Sequence, residues 1–222
     1  MLTPLHQMIV KKMIAEKGTV LNNEEIAHGI YQMTFSAERI CNEEPFPGQF
    51  LNICVNESWE HPLRRPMSIA DVNDNQLSII YKIFGEGTKI LSEQKNGYSI
   101  DLLGPLGNSF GETEGTTPIL IGGGVGLSPI IWFHKVLQTN GVEHKIVIGA
   151  QSADEHFLSH DPEENIYLTT DDGSAGEHGT VMPTVKKICD EVENPKLFAC
   201  GPEPMMKVVH LFVNEFHLPC EL

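Results

Sequence analysis

"PILIGGGVGLSPIIWFHKVLQTNG", Pro118 to Gly141, holds the change of pattern that decides the fold. Its first residues form a short branched apolar run that reads as a buried strand. The run ends in glycines, and from Leu127 the apolar residues fall at helical spacing until a stop at Gly141. Downstream the alternation continues: "HKIVIGA" and "NIYLTT" read as strands, "GTVMPTVKKICDEV" as a helix, "KLFACG" as a strand and "PEPMMKVVHLFVNEF" as a closing helix. Strands alternating with helices imply a parallel sheet covered on both faces, an α/β half of Rossmann-like type.

Upstream the period is different. "IYQMTF", "QFLNICV", "QLSIIYKIF" and "YSIDLL" are short and rich in β-branched or aromatic residues, and "EPFPG", "DVNDN", "KNG" and "GPLG" supply turns between them. Strands at this spacing predict a small antiparallel barrel or sandwich. One insertion, "GEGTKILSEQ", reads as a glycine-rich turn into a short helix with Thr88 as N-cap. The expected organisation is an N-terminal extension over residues 1–17, a β domain over 18–113 and an α/β domain over 114–222.

Composition narrows the function. The 222 residues carry 15 Lys and Arg against 30 Asp and Glu, a net charge of -15, which argues against a nucleic-acid partner. The first residues lack the uninterrupted apolar core of a signal peptide, and no window approaches the ~18 apolar residues of a membrane span. Cys41, Cys54, Cys189, Cys200 and Cys220 show no CxxC spacing, which disfavours a disulfide framework or a zinc site. The expected location is the cytoplasm.

Three suspicious loops follow predicted parallel strands, the side on which open α/β sheets bind ligands. The first is "GGGVGLSP", with Gly122, Gly123, Gly124 and Gly126 at a helix start, where free amides attract phosphate. The second is "TTDDGS", including Thr170, Asp171, Asp172, Gly173 and Ser174. The third is "ACGPEPM", with Cys200, Gly201 and Pro202. Each alone is a weak signal; together they make a site. The β half offers a second one. In "RRPMSI", Arg65 has the donors for a phosphate and Ser68 a hydroxyl for a polar ring edge. Gly85, Gly87 and Thr88 open the short helix, and Lys82 on the strand before it adds a positive charge.

A β domain carrying RPxS and then GxGT, followed by GGGxGxxP and a late CGP, resembles the ferredoxin-NADP reductase superfamily. Within it, "LRRPMSI", "IYKIFGEGTKILS", "LLGPLGNSF", "TTDDGS" and "ACGPEPMM" are most similar to the electron-transfer subunits of NAD-dependent, two-subunit dihydroorotate dehydrogenases of pyrimidine biosynthesis. The resemblance implies a flavin-binding barrel and a nicotinamide-binding second domain, with hydride passing from NADH to FAD. It implies that Arg65, Pro66, Met67 and Ser68 hold the flavin diphosphate and ring edge, and that Ile80, Tyr81 and Lys82 line the cofactor strand. Gly85, Gly87 and Thr88 would cap the pyrophosphate. Gly122 to Gly126 would receive the dinucleotide, Thr170 to Ser174 its ribose, and Cys200, Gly201 and Pro202 the nicotinamide. Ser68 and Cys200 are thereby the candidates nearest the chemistry. NADH is expected over NADPH because "IGAQSADEHF" carries no cation to meet a 2′-phosphate.

The family's subunits continue into a cysteine-rich tail that binds a 2Fe-2S cluster, which needs four cysteines. Only Cys220 lies in the terminal region here, so no cluster and no other metal is expected in this chain. Three readings of the acceptor stay open. The chain passes electrons to a catalytic dehydrogenase subunit, or is a free-standing NAD(P)H-dependent flavoprotein reductase serving a soluble acceptor or another redox protein. The third is a non-catalytic binding or regulatory module that keeps the fold.

Overall fold

A computed structural model describes residues 12–56 and 61–222. Six strands close an antiparallel barrel: β1 (Ile14–Ala27), β2 (Ile30–Ser36), β3 (Phe50–Cys54), β4 (Arg65–Asn73), β5 (Gln76–Lys82) and β6 (Ser99–Leu106). Around the barrel their order is β1-β2-β5-β4-β3-β6. Two helices interrupt them, α1 (Glu38–Cys41) and α2 (Glu86–Ser92). The first strand starts inside the segment expected to be an extension. Ile14 to Lys17 pair with β6 because Ile14 is buried in the barrel core. The remainder of that extension, up to residue 11, lies outside the described residues.

The second half is a six-stranded parallel sheet in the order β10-β9-β8-β7-β11-β12. Its strands are β7 (Thr117–Gly123), β8 (Lys145–Ala150), β9 (Ile166–Thr170), β10 (Glu177–His178), β11 (Pro195–Cys200) and β12 (Cys220–Glu221). Strand alternation explains its two covers. Leu120, Ile146, Ile148 and Phe198 pack on one side with α3 (Leu127–Thr139). Ile119, Ile121, Val147 and Leu197 pack on the other with α4 (Val181–Glu191) and α5 (Glu203–Phe216).

The halves share their cores. Trp132 of α3 belongs to the cluster that fills the barrel, and Ile30, Ala70 and Ile80 of the barrel belong to the cluster under α3. The connecting segment is fixed from both sides: Phe110 donates its N–H to Pro47 O at 2.8 Å while its ring meets Phe133 and Phe198. The C-terminal Glu221 closes over the same segment, accepting from Gly111 N at 2.8 Å and pairing with Lys196 at 2.7 Å.

A part-buried histidine pair lies where α3 meets the strand that follows it. His144 Nδ1 faces Val142 O at 2.7 Å, so that nitrogen carries the proton, and His144 Nε2 accepts from His134 Nδ1 at 2.7 Å. Burial, then the neighbouring ring and Lys135, push the His134 pKa down from 6.5 to about 4, and burial lowers His144. The unfolded chain takes up this proton at its ordinary pKa and the folded chain only near 4. The pair's contribution is therefore intact above about 6.5 and lost as pH falls toward 4. Ring NMR is expected to give a His134 midpoint near 4. Wild type should lose about 1–2 kcal/mol more than His134→Gln across that window, a value reduced for partial solvation.

Candidate functional site

The barrel has a seam. Ile69 of β4 pairs with Ile79 of β5, but from Ser68 back to Arg65 the strand pairs with β3 only. From Ile80 onward β5 pairs with β2 alone, so the outward edge of Ile80 and Lys82 opens toward the second half. Alternation places Ile79 and Tyr81 in the barrel core and Ile80 on the outer face. Tyr81 donates its hydroxyl to Asn23 at 2.9 Å and stacks on Tyr31, and burial raises its pKa, so its ring is a core group rather than a lining one. Ser68 is half-buried, and its hydroxyl has no partner among the described residues.

The two arginines of "RRPMSI" do different work. Arg64 donates to Asn52 O and Asp101 O at 3.2 Å each and to Asp101 Oδ1 at 2.8 Å, which ties the start of β4 across β3 to β6. Among the described residues Arg65 donates only to Leu63 O, at 2.8 Å, and its guanidinium lies over Gly87. A Cβ at Gly87 would stand 2.9 Å from Arg65 Nε and 3.2 Å from Nη2. Glycine is thus what lets an arginine and the free amides of a helix start face one space. That is the donor set a diphosphate requires.

Thr88 is not the N-cap. Gly85 holds that position, and Thr88, one turn in, accepts from Phe84 N at 2.9 Å and Gly85 N at 3.2 Å. Its hydroxyl shapes the turn and is already engaged. Lys82 also turns elsewhere: its Nζ pairs with Glu155 at 2.7 Å, in the loop after β8. Pro66 is exposed, and Met67 packs against the barrel core.

On the sheet, the strand order reverses between β7 and β11, and the loops that follow both strands touch there. A Cβ at Gly126 would overlap the Cys200 carbonyl and the Gly201 nitrogen. At Gly123 it would meet Met205 Sδ at 2.8 Å, and at Gly124 it would stand 3.2 Å from Pro202 Cγ. Gly122 instead faces Leu127 and Ile130. Gly126 is required by the chain's own backbone, which the two loops bring into close contact, whereas Gly122, Gly123 and Gly124 make room first for side chains. Burial raises the Cys200 thiol, so it stays neutral and weakly polar rather than a thiolate.

The third loop is fastened internally. Thr170 Oγ1 donates to Ala175 O at 2.8 Å, and Ser174 accepts from Ala153 N at 2.8 Å, stitching it to the loop after β8. Asp172 accepts from the Ser174 hydroxyl and amide, which hold its carboxyl below the usual range, and Gly173 turns with φ 73°. Asp171 and Asp172 remain exposed. All three loops meet the same edge of the sheet. Ser128 and Trp132, both on α3 facing the barrel, were not singled out in the sequence; only the polar residue inside the apolar run "LSPIIW" hinted at the first.

A flavin-type barrel joined through a shared core to a dinucleotide-type sheet defines a reductase of the ferredoxin-NADP reductase class. A solved NADH-dependent reduced ferredoxin-NADP oxidoreductase, described for flavin-based electron bifurcation, superposes with a TM-score of 0.80 at 28% identity, over 92% of this chain and 75% of that one. No family model matches the sequence. The dihydroorotate dehydrogenase B (NAD(+)) electron transfer subunit of Fusobacterium nucleatum is 37% identical over 211 residues, which cover 90% of this chain and 80% of that one. The same subunit of Bacillus velezensis is 40% identical over 198 residues, 86% of this chain and 76% of its own. This chain belongs to the family of dihydroorotate dehydrogenase B electron transfer subunits.

Proposed function

We propose that this chain takes hydride from NADH onto FAD and hands the electrons to a catalytic dehydrogenase subunit. The observation that carries the reading is a pair of seats joined by one hydrogen-bonded link: Arg65 over Gly87 beside the β4–β5 seam, and the touching loops of Gly126 and Cys200 at the start of α3, whose Ser128 bonds Ile80 at that seam. FAD, when bound, supplies the acceptor for hydride and the route to single-electron donation. The chain's residues do the rest. Arg65 and the first amides of α2 bind the diphosphate. The Ser68 hydroxyl and the backbone edge of β5 beyond Ile80, at Lys82, are available for polar groups of the ring. The Gly122–Gly126 turn and the Thr170–Ser174 loop orient the dinucleotide, and neutral Cys200 offers its face without adding charge.

The loop after β8 argues for NADH. Residues 151–155 carry Asp154 and Glu155 and no cation, and the lysine that reaches them, Lys82, is neutralised by Glu155 at 2.7 Å. A 2′-phosphate would meet uncompensated negative charge there. NADH is expected to reduce the flavin at least tenfold more effectively than NADPH, read by anaerobic titration with each.

No iron-sulfur cluster is proposed for these 222 residues. Cys41, Cys54, Cys189, Cys200 and Cys220 stand on α1, β3, α4, β11 and β12, and burial lifts Cys41, Cys189 and Cys220 to about 11, against the thiolate form a cluster needs. Among the described residues no helix is long and apolar enough to cross a membrane. The deciding experiment is an absorbance spectrum before and after anaerobic NADH. Bands near ~450 nm that bleach support the proposal. Protein that neither carries nor binds added FAD overturns it.

A further inference from the structure

Where β4 leaves β5, the backbone of Ile80 loses its strand partner in a buried place. One side chain from the other half of the molecule replaces that partner. Ser128, 1% exposed, accepts from Ile80 N at 3.1 Å and donates to Ile80 O at 2.6 Å. The hydroxyl thus imitates a neighbouring strand for one residue, satisfying both polar groups that burial would otherwise leave unpaired.

Its position in sequence gives this bond a further consequence. Ser128 is the second residue of α3, two residues after Gly126, where a Cβ would overlap the Cys200 carbonyl. A short rigid path therefore runs from the strand edge at Ile80, through Ser128 and the helix start, to the touching loops that follow β7 and β11. Lys135–Asp71 at 2.9 Å and Lys82–Glu155 also cross between the halves, but both involve partly exposed side chains.

We propose that Ser128 is a positioning residue for hydride transfer, fixing the separation and angle between the flavin seat and the nicotinamide seat. The proposal rests on the reading that flavin occupies the seam and the dinucleotide the sheet edge. A misplacement of about 1 Å between reacting groups can cost roughly a hundredfold in rate without loss of binding. A residue serving only to satisfy a buried strand would change stability and leave that alignment alone.

The test compares wild type with Ser128→Ala and Ser128→Thr, as purified full chains. Two quantities are read: the rate constant of flavin bleaching by NADH in anaerobic stopped flow, and residue-level hydrogen exchange at Ile80. For Ser128→Ala, exchange at Ile80 is expected to rise at least tenfold. Bleaching should slow tenfold or more, with the half-saturating NADH concentration within twofold of wild type. Ser128→Thr, which returns the hydroxyl, should restore both. Ser128→Cys keeps the volume but donates weakly; it should fall between, and it carries the test if the alanine variant is unstable. Wild type that bleaches alongside a Ser128→Ala variant within twofold of it overturns this inference alone. So does an effect confined to half-saturation, or unchanged exchange at Ile80. Wild type that NADH does not bleach overturns the flavin reading, and this inference with it.

Discussion

Arg65→Ala is expected to give a folded, colourless protein. The guanidinium makes a single hydrogen bond within the described residues, to Leu63 O, and otherwise faces the space above Gly87. Its loss removes little from the fold but takes away the charge that a diphosphate would meet. Charge-assisted hydrogen bonds contribute about 1.5–3 kcal/mol each, and a guanidinium offers two to a phosphate, so FAD binding should weaken by roughly a hundredfold to ten-thousandfold. Arg65→Lys should recover only part, since a point charge cannot fork. Arg64 supplies the contrast. Its three hydrogen bonds to Asn52 and Asp101 brace three strands, so Arg64→Ala should cost about 1–3 kcal/mol of stability and leave the flavin in place. Thermal melting and flavin content, measured on both variants, separate the roles. Full flavin content in Arg65→Ala would refute the assignment.

Gly126→Ala should produce the opposite defect: flavin bound, but NADH unable to reach it productively. A methyl at this position overlaps the Cys200 carbonyl and the Gly201 nitrogen. Both are backbone atoms at the end of a central strand, so no side chain can swing aside. The loop after β7 must lift from the loop after β11, and both proposed dinucleotide contacts shift. Overpacking of this kind costs about 3 kcal/mol or more when the backbone has to move. Bleaching by NADH is expected to slow at least a hundredfold while the barrel keeps its FAD. A variant that melts and bleaches like wild type would show that the two loops can part freely.

The sequence disclosed those elements whose burial is regular. β2, β3, β5 and β6 alternate or run apolar, and the parallel sheet is apolar on both faces, so period and turn residues sufficed. β4 was hidden because Arg65, Pro66 and Ser68 read as a motif rather than as a strand, and it is a strand that changes partners midway. β1 is not among the strands the sequence predicts, because Glu16, Lys17, Glu24 and Glu25 look like a surface segment, although Ile14 is buried among the barrel residues. Two-residue strands such as β10 and β12 carry no periodic signal at all.

At the site, residue types were legible and their partners were not. Nothing in "YKIFGEGT" tells that Lys82 crosses to Glu155, 73 positions away, or that Tyr81 turns inward to Asn23. Ser128 passed unnoticed because a serine inside a helix start has an ordinary local explanation. Its reason is a strand edge 48 positions earlier that only the closed barrel exposes.

Trp132 has a thermodynamic implication. Its indole, 5% exposed, packs in one buried cluster with the barrel residues although it hangs from a helix of the neighbouring sheet, while Ile30, Ala70 and Ile80 of the barrel pack in the cluster under that helix. Two halves with interlocked interiors cannot melt one at a time without opening a cavity in the survivor. The unit of folding is the pair, and heat or denaturant that loosens the nucleotide half therefore also loosens the grip on the flavin.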